Sequence, residues 1–183
     1  LLDIAAKDGD SPGAIAEGAV AKLLKTDPAP LMHRLNACLI TPGNIDDDMD
    51  LIADCDWIVE AIIERLDLKQ SLYEKIEAAR KPGSIVSSNT STLPLGVLTE
   101  GMPESFKADF MITHFFNPPR YLRLLEVVAG DRTRADAVDA LIRFADFNLG
   151  KTIVPCKDTP GFIANRIGIY WLQCGVVRAM DEG

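Results

Sequence analysis

The segment Thr113 to Val128, THFFNPPRYLRLLEVV, presents an imidazole, a turn and then a carboxylate on an apolar run. His114 and Glu126 are the residue types that a proton-transfer pair requires. An unperturbed imidazole has a pKa of roughly 6.5, so it can take a proton from an alcohol and return it within one turnover. A carboxylate on the other ring nitrogen would fix the tautomer, orient the ring and stabilise the imidazolium that forms. The separation of twelve residues suits two neighbouring strands joined by the Asn117-Pro118-Pro119 turn, where each proline fixes φ and lacks an N–H. The same spacing equally suits a strand-end histidine satisfied by backbone and an unrelated exposed glutamate.

The frame for such a pair is read from hydrophobic periodicity. Leu1-Leu2-Asp3-Ile4 has the character of the end of a buried strand, stopped by the polar cluster Lys7-Asp8-Gly9-Asp10. Because it starts apolar with no turn before it, a preceding strand is expected. Ser11-Pro12 offers an N-cap and first-turn signal for a helix in which Ile15, Ala19, Leu23 and Leu24 recur, as far as Lys25. Pro28 and Pro30 break it, and a short turn over Leu31 to Leu35 leads to a strand at Cys38 to Ile40. Asp56 to Ile62, Ser84 to Ser87, Phe110 to Thr113, Leu124 to Val128 and Lys151 to Val154 read as further strands. Between them, one helix places Leu68, Leu72 and Ile76 on a face and ends at Lys81-Pro82-Gly83, another starts near Pro94, and a third covers Asp136 to Phe147. Strands alternating with helices imply right-handed crossovers and a mainly parallel sheet covered on both faces, which is a doubly wound α/β domain.

Phe162 to Met180 runs as one apolar helix rich in Ile, Trp, Leu and Val, more apolar surface than a single helix can bury alone. It is expected to be the first helix of a second, helical domain. The division is therefore residues 1–156 and 157–183. No internal repeat or low-complexity segment interrupts either part.

Composition excludes several classes. Of 183 residues 48% are hydrophobic and 25% charged, and no run approaches the roughly 18 uninterrupted apolar residues of a membrane span. A net charge of −8 argues against a nucleic-acid surface. Cys38, Cys55, Cys156 and Cys174 are scattered without a C-x-x-C pair, which indicates neither zinc nor a disulfide scaffold. Reduced thiols and a cytoplasmic protein are expected. Asp46-Asp47-Asp48 lacks the glycine and terminal glutamate of a calcium loop and reads as a solvated charge run. No signal peptide is visible before Leu1, and an N-terminus further upstream is expected.

In open parallel sheets ligands bind beyond the carboxyl ends of the strands, and an acidic residue ending the second strand can hydrogen-bond an NAD ribose. Asp3 holds that position, although it also suits an ordinary strand-end loop. The glycine fingerprint that would cradle the pyrophosphate is absent and would lie about 20 residues upstream. Ser87 to Leu93 supplies hydroxyls and an amide just past a buried strand, where Ser91 could hold a substrate oxygen or merely cap the following helix. Glu60, Glu64 and Lys69 read singly as surface charge or helix capping.

Four segments together carry a resemblance: EAIIERLDLK (Glu60 to Lys69), SNTSTL (Ser88 to Leu93), HFFNPPRYLRLLEVV (His114 to Val128) and DTPGFIANR (Asp158 to Arg166). In order and separation they resemble the NAD-dependent L-3-hydroxyacyl-CoA dehydrogenases of fatty-acid β-oxidation, across nearly the whole chain. The resemblance implies a Rossmann-type NAD-binding domain over residues 1–156, incomplete at its start, and the beginning of a helical substrate and dimerisation domain over 157–183. It implies oxidation of (3S)-3-hydroxyacyl-CoA to 3-oxoacyl-CoA, with His114 as general base, Glu126 as its orienting partner and Asn165 as an active-site amide. Ser91 would contact substrate and cofactor, and Asp3, Glu64, Lys69 and Asn117 match the family's NAD contacts. No metal is implied. The implied partners are an acyl-CoA substrate and either a second copy or a larger multifunctional chain, and the piece alone is expected to be inactive. Lys22 and Lys25 are candidates for CoA contact, while Arg120, Arg123, Arg132 and Arg134 read as solvated. A β-hydroxyacid dehydrogenase acting on a free acid, or a non-catalytic relative of the same fold, are the alternatives.

Overall fold

The computed structural model describes residues 1–7 and 11–182. Asp8, Gly9 and Asp10, most of the polar cluster expected to end the first strand, lie outside the described residues. The chain runs β1 (Leu2–Asp3), α1 (Ala14–Leu23), a 3-10 turn (Arg34–Leu39), β2 (Gly43–Asn44), a 3-10 turn (Met49–Ile52), β3 (Trp57–Glu60), α2 (Leu66–Ala79) and β4 (Ile85–Ser88). It continues through α3 (Leu95–Leu98), α4 (Glu104–Asp109), β5 (Phe110–Phe115), β6 (Leu124–Ala129), α5 (Ala135–Phe147), β7 (Thr152–Cys156) and α6 (Ala164–Glu182). β1 and β2 pair with each other, and a five-stranded sheet has the order β3-β4-β5-β6-β7. The α/β class with a mainly parallel sheet is therefore as the sequence predicts.

Only the β5–β6 pair in the large sheet is antiparallel. Its connection, residues 116–123, contains no helix, and so short a return cannot carry the chain back to start a parallel strand. This reversal sets the frame for the chemistry, because it puts His114 directly opposite Glu126 in register.

Alternation along β5 divides the core. Phe110 and Ile112 join Tyr73, Leu98, Phe106, Val128 and Phe162 on one side, whereas Met111 packs with Leu125, Val127 and the buried face of α5 (Ala137, Leu141 and Ala145) on the other. Tyr73, Phe106 and Phe110 form an aromatic trio with ring centroids 5.2–5.5 Å apart, a spacing suited to tilted and edge packing. His114 shares the parity of Phe110 and Ile112, so it faces the first core and the start of α6.

Several expected elements differ. Cys38 to Ile40 is not a strand. His33 caps a 3-10 turn there, its Nδ1 accepting the Leu35 N–H at 3.2 Å, and pairing with β1 waits until after Pro42, which lacks an N–H. Gly43 then lies so close to Leu2 and Asp48 that an added Cβ would meet each at 2.9 Å. Helix α1 starts at Ala14 with Gly13 as its cap rather than at Ser11-Pro12, and no side chain caps it. The buried face of α2 is Lys69, Leu72, Tyr73 and Ile76, one position round from the expected stripe, and Leu68 is exposed. Helix α4, absent from the sequence reading, follows Pro103 and buries Phe106.

In α6 no residue is buried, and Ile167, Tyr170, Trp171, Val176 and Met180 are exposed. Among the described residues no helix is long and apolar enough to cross a membrane, and no cluster of His, Cys, Asp or Glu could hold a metal ion. All four cysteines are free thiols.

Away from the ligand edge, Arg80 of the α2 C-terminus donates to Asp109 at 2.7 Å and to the Ser84 carbonyl at 2.8 Å, while Arg134 donates twice to the other oxygen of Asp109. Arg80 and Asp109 are buried, and Arg80 also pairs with Glu77 at 2.5 Å, so removing Asp109 leaves a buried guanidinium with one carboxylate where it had two. Asp109→Ala is expected to cost about 3 kcal/mol of folding stability, measured by urea unfolding; a change within experimental error would show that the pair bears no load.

Candidate active site

His114 Nδ1 lies 2.8 Å from Glu126 Oε2. A carboxylate can only accept, so Nδ1 carries the proton and Nε2 is left with a free lone pair. The remaining oxygen of Glu126 accepts the backbone N–H of Ile163 at 3.0 Å and of Ala164 at 2.8 Å. These are unsatisfied donors at the start of α6, where a negative charge is favoured. One buried carboxylate thus binds the ring through one oxygen and the first turn of the last helix through the other. Burial pushes the Glu126 carboxyl up, but the Ala164 amide, the His114 ring and the Ile163 amide outweigh it and hold the group below the usual carboxylate range.

Phe116 and Phe162 flank the imidazole, with centroids 4.6 and 5.8 Å away. Phe162 is buried although its φ is +44°, a left-handed conformation rare for a large side chain. Gly161 before it has φ +75°. Two successive left-handed residues turn the chain so that the next two amides meet Glu126. Asn165 follows in the first turn of α6, half-buried.

A second buried network stands at the carboxyl ends of β3 and β4. Glu60, expected on the surface, has a fully buried side chain. It accepts the Ile62 N–H at 2.7 Å, Lys69 Nζ at 2.7 Å, the Tyr73 hydroxyl at 2.8 Å and the Ser88 hydroxyl at 2.7 Å. Burial and the Glu60 charge push the Tyr73 phenol up, which keeps it a donor. Lys69 is buried too, and its ammonium reaches Glu60, the Ile62 carbonyl at 3.3 Å and Glu64 at 3.3 Å. Glu64 in turn accepts the hydroxyls of Thr90 and Thr92 and the Ser91 N–H. Burial raises the Glu64 carboxyl, and the two threonines and Lys69 more than reverse it, leaving it lowered. Every charge in this cluster is paired and hydrogen-bonded, the condition under which buried charge is tolerated.

Because β3, β4 and β5 are parallel, Glu64, Ser91 and Asn117 follow strand ends on one edge of the sheet. Asn117 is exposed at the head of the β5–β6 loop. Asp3 ends β1 with its carboxylate on the Ile4 N–H at 2.7 Å. The structure therefore joins His114 and Glu126, puts Asn165 one residue after the Ala164 amide that Glu126 accepts, and links Glu64, Lys69 and Ser91.

Residues 15–159 match the model of the family described as 3-hydroxyacyl-CoA dehydrogenase, NAD binding domain. The chain belongs to this family. It is 46% identical over 182 residues to a Rickettsia felis protein named as a fatty acid oxidation complex trifunctional enzyme, covering all of this chain and 25% of that one. It is equally 46% identical to a Deinococcus radiodurans protein named as a 3-hydroxyacyl-CoA dehydrogenase, covering all of this chain and 51% of that one. The chain thus spans between a quarter and about half of these relatives. Among solved structures, 3-hydroxybutyryl-CoA dehydrogenase from Escherichia coli K12 superposes with a TM-score of 0.71 at 28% identity, over 91% of this chain and 34% of that one. A Mycobacterium tuberculosis structure gives 0.79 at 22% identity, over 96% and 62%, which shows the shared fold.

As a member of this family the chain has an NAD-binding domain, and the strand-end edge suits that cofactor. Glu64 is partly exposed there above a buried counter-charge, and Asp3 presents a carboxylate at the end of β1. The candidates for CoA phosphate are arranged differently. Arg120 is exposed, as expected, and in addition donates to the Ala29 and Leu31 carbonyls at 2.5 and 2.8 Å. Arg132 pairs with Glu104 and Arg134 with Asp109 and Asp136. Lys22 and Lys25 lie on an exposed surface. The sequence reading missed the central place of Glu60 and the cross-chain bonds of Tyr73, Ser88 and Asp158. For Glu60 a signal existed: the spacing 69, 72, 73, 76 is as good a helical stripe as 68, 72, 76, and it aims a lysine and a tyrosine at the strand end.

A depressed carboxyl stabilises the fold above its unfolded pKa, near 4.5 for Glu126, and that contribution disappears as pH falls through the lower folded value. Glu126→Gln is therefore expected to flatten the loss of stability between about pH 6 and about pH 3, measured by denaturant unfolding at several pH values. An acid limb as steep as the parent's would show that Glu126 does not carry it.

Proposed function

We propose that this chain is the NAD-binding part of an enzyme that oxidises (3S)-3-hydroxyacyl-CoA to 3-oxoacyl-CoA with NAD+, a step of fatty-acid β-oxidation. The observation that carries this reading is the 2.8 Å contact of His114 Nδ1 with a carboxylate whose other oxygen holds the first turn of α6. His114 Nε2 is the base. It takes the proton of the substrate 3-hydroxyl as hydride leaves C3, and Glu126 stabilises the imidazolium that results. Bound NAD+ supplies the hydride acceptor. The rings of Phe116 and Phe162 screen the imidazole from water and hold its plane. Asn165 offers an amide to the substrate from α6, and Ser91 offers a hydroxyl between substrate and cofactor.

Asp3, Glu64, Lys69 and Asn117 form the cofactor set. Within it Lys69 acts through Glu64, since its ammonium already meets two carboxylates and a carbonyl. Residues 1–156 constitute the Rossmann-type cofactor domain, and 157–183 begin a helical domain for substrate and dimerisation. The unburied, apolar α6 supports that division. Assembly as a homodimer or within a larger multifunctional chain belongs to the same reading, supported by the trifunctional name of the Rickettsia relative. A cytoplasmic location is consistent with four free thiols.

His114→Gln in the complete protein is expected to lower kcat by about 10²–10⁴-fold while NAD+ affinity, followed by fluorescence titration, stays at the parent value. Near-normal turnover would remove His114 as the base. Turnover of the free 3-hydroxy acid matching that of its CoA thioester would instead identify a hydroxyacid dehydrogenase.

A further inference from the structure

Asp158, the first residue of the DTPGFIANR segment, reaches back across the chain. Its Oδ1 accepts the Leu95 N–H at 3.0 Å and its Oδ2 the Gly96 N–H at 3.4 Å. These are the first two amides of α3, which follows Pro94 and has no side-chain cap of its own. A residue more than sixty positions away therefore caps this helix, and α3 continues directly from the loop that bears Ser91.

The connector from Asp158 to α6 is held at both ends. Asp158 fixes its start to α3, and the Ile163 and Ala164 amides fix its end to Glu126. Between them lie the left-handed Gly161 and Phe162. A phenylalanine at φ +44° persists only where its surroundings over-determine it. Here burial of the ring against the core and His114 supplies one constraint, and the two anchors supply the others.

We propose that Asp158 is a positioning residue for the His114–Glu126 pair: by capping α3 it holds the connector in the strained turn that presents the Ile163 and Ala164 amides to Glu126, and it fixes Asn165 relative to the Ser91 loop. The proposal rests on the assignment of His114 as base for its catalytic meaning, but the coupling it describes belongs to the fold. When the connector relaxes, Glu126 loses two amide donors, its charge is less neutralised, and it holds the imidazolium more strongly. The ring then titrates at higher pH. Cys156, the other titratable group beside Glu126, is pushed up to about 11 by burial and by the Glu126 charge, so it stays neutral through the titration of the ring. Lys157, Asp158 and Arg166, the charged residues of the connector and the first turn of α6, are exposed to solvent.

The test uses the complete protein without cofactor, following the His114 ring nitrogens by long-range ¹H–¹⁵N spectra across pH, together with the acid limb of kcat/KM. Asp158→Ala is expected to move the ring titration and the acid limb upward together by roughly half a pH unit or more and to lower kcat about tenfold. Asp158→Asn keeps an acceptor for the Leu95 N–H and is expected to stay near the parent in both. A lowered Tm for Asp158→Ala with an unmoved ring titration would overturn the proposal and leave Asp158 a stabilising cap. Should the alanine variant not fold, Asp158→Ser supplies the same comparison: an upward displacement supports the coupling, and an unmoved titration overturns it. Because the ring is read without turnover, failure of His114 as base would appear in His114→Gln and not here.

Discussion

The arrangement depends on what two carboxylate oxygens of Glu126 can satisfy at once. Burial makes an ionised carboxylate costly, and each oxygen must recover that cost by accepting hydrogen bonds. Oε2 takes the imidazole, and Oε1 takes the two amides that open α6. Neither set of donors suffices alone. The ring leaves one oxygen bare, and the amides leave the histidine without a tautomer. The histidine is fixed because the helix is docked, and the helix is docked because the strand pair places a charge beneath it.

That charge can sit there only because β5 and β6 run in opposite directions. In an antiparallel pair, residues face each other across the ladder, and side chains on the same face stand close enough to bond. A register slip of one residue would turn Glu126 toward α5 and leave His114 facing Leu125 or Val127. The apolar neighbours prevent it: Phe110, Ile112 and Val128 must remain on the side of Tyr73 and Phe106, and Met111 and Val127 on the side of α5. Packing of ordinary hydrophobic residues thereby sets the placement of the two ionisable ones.

The sequence makes the five strands of the large sheet legible to within a residue or two, because β-branched runs bounded by glycine, proline and polar residues admit few other readings. The contact of His114 with Glu126 was a spacing compatible with adjacent strands, and the register now supplies the 2.8 Å bond. Glu60 was not legible. A carboxylate at a strand end looks the same whether it meets water or, as here, a lysine and a tyrosine from α2 and a serine from β4. Hydrophobicity also chose Leu68 over Lys69 for the buried face of α2, since no periodicity records that a lysine stem can be buried when its ammonium finds two carboxylates. The strand expected at Cys38 failed for a local reason, because a capping histidine offered the backbone a tighter turn.

The four segments that carried the resemblance are physically one system. EAIIERLDLK meets SNTSTL through Glu60 and Ser88 and through Glu64 and the threonine hydroxyls. SNTSTL meets the histidine strand through Asn89, whose side-chain oxygen accepts the Phe115 N–H at 2.9 Å. The helix that follows SNTSTL meets DTPGF through Asp158, and the end of DTPGFIA returns to Glu126. Each segment is unremarkable alone because its polar groups are completed by another, far away in sequence. A change in one alters the partners available to the next, so the segments constrain each other through hydrogen bonds rather than through sequence proximity. The same closure accounts for a strained phenylalanine beside the histidine. Through the turn at Gly161 and Phe162 the connector satisfies α3 at one end and Glu126 at the other, and the buried aromatic ring offsets the backbone cost of taking it.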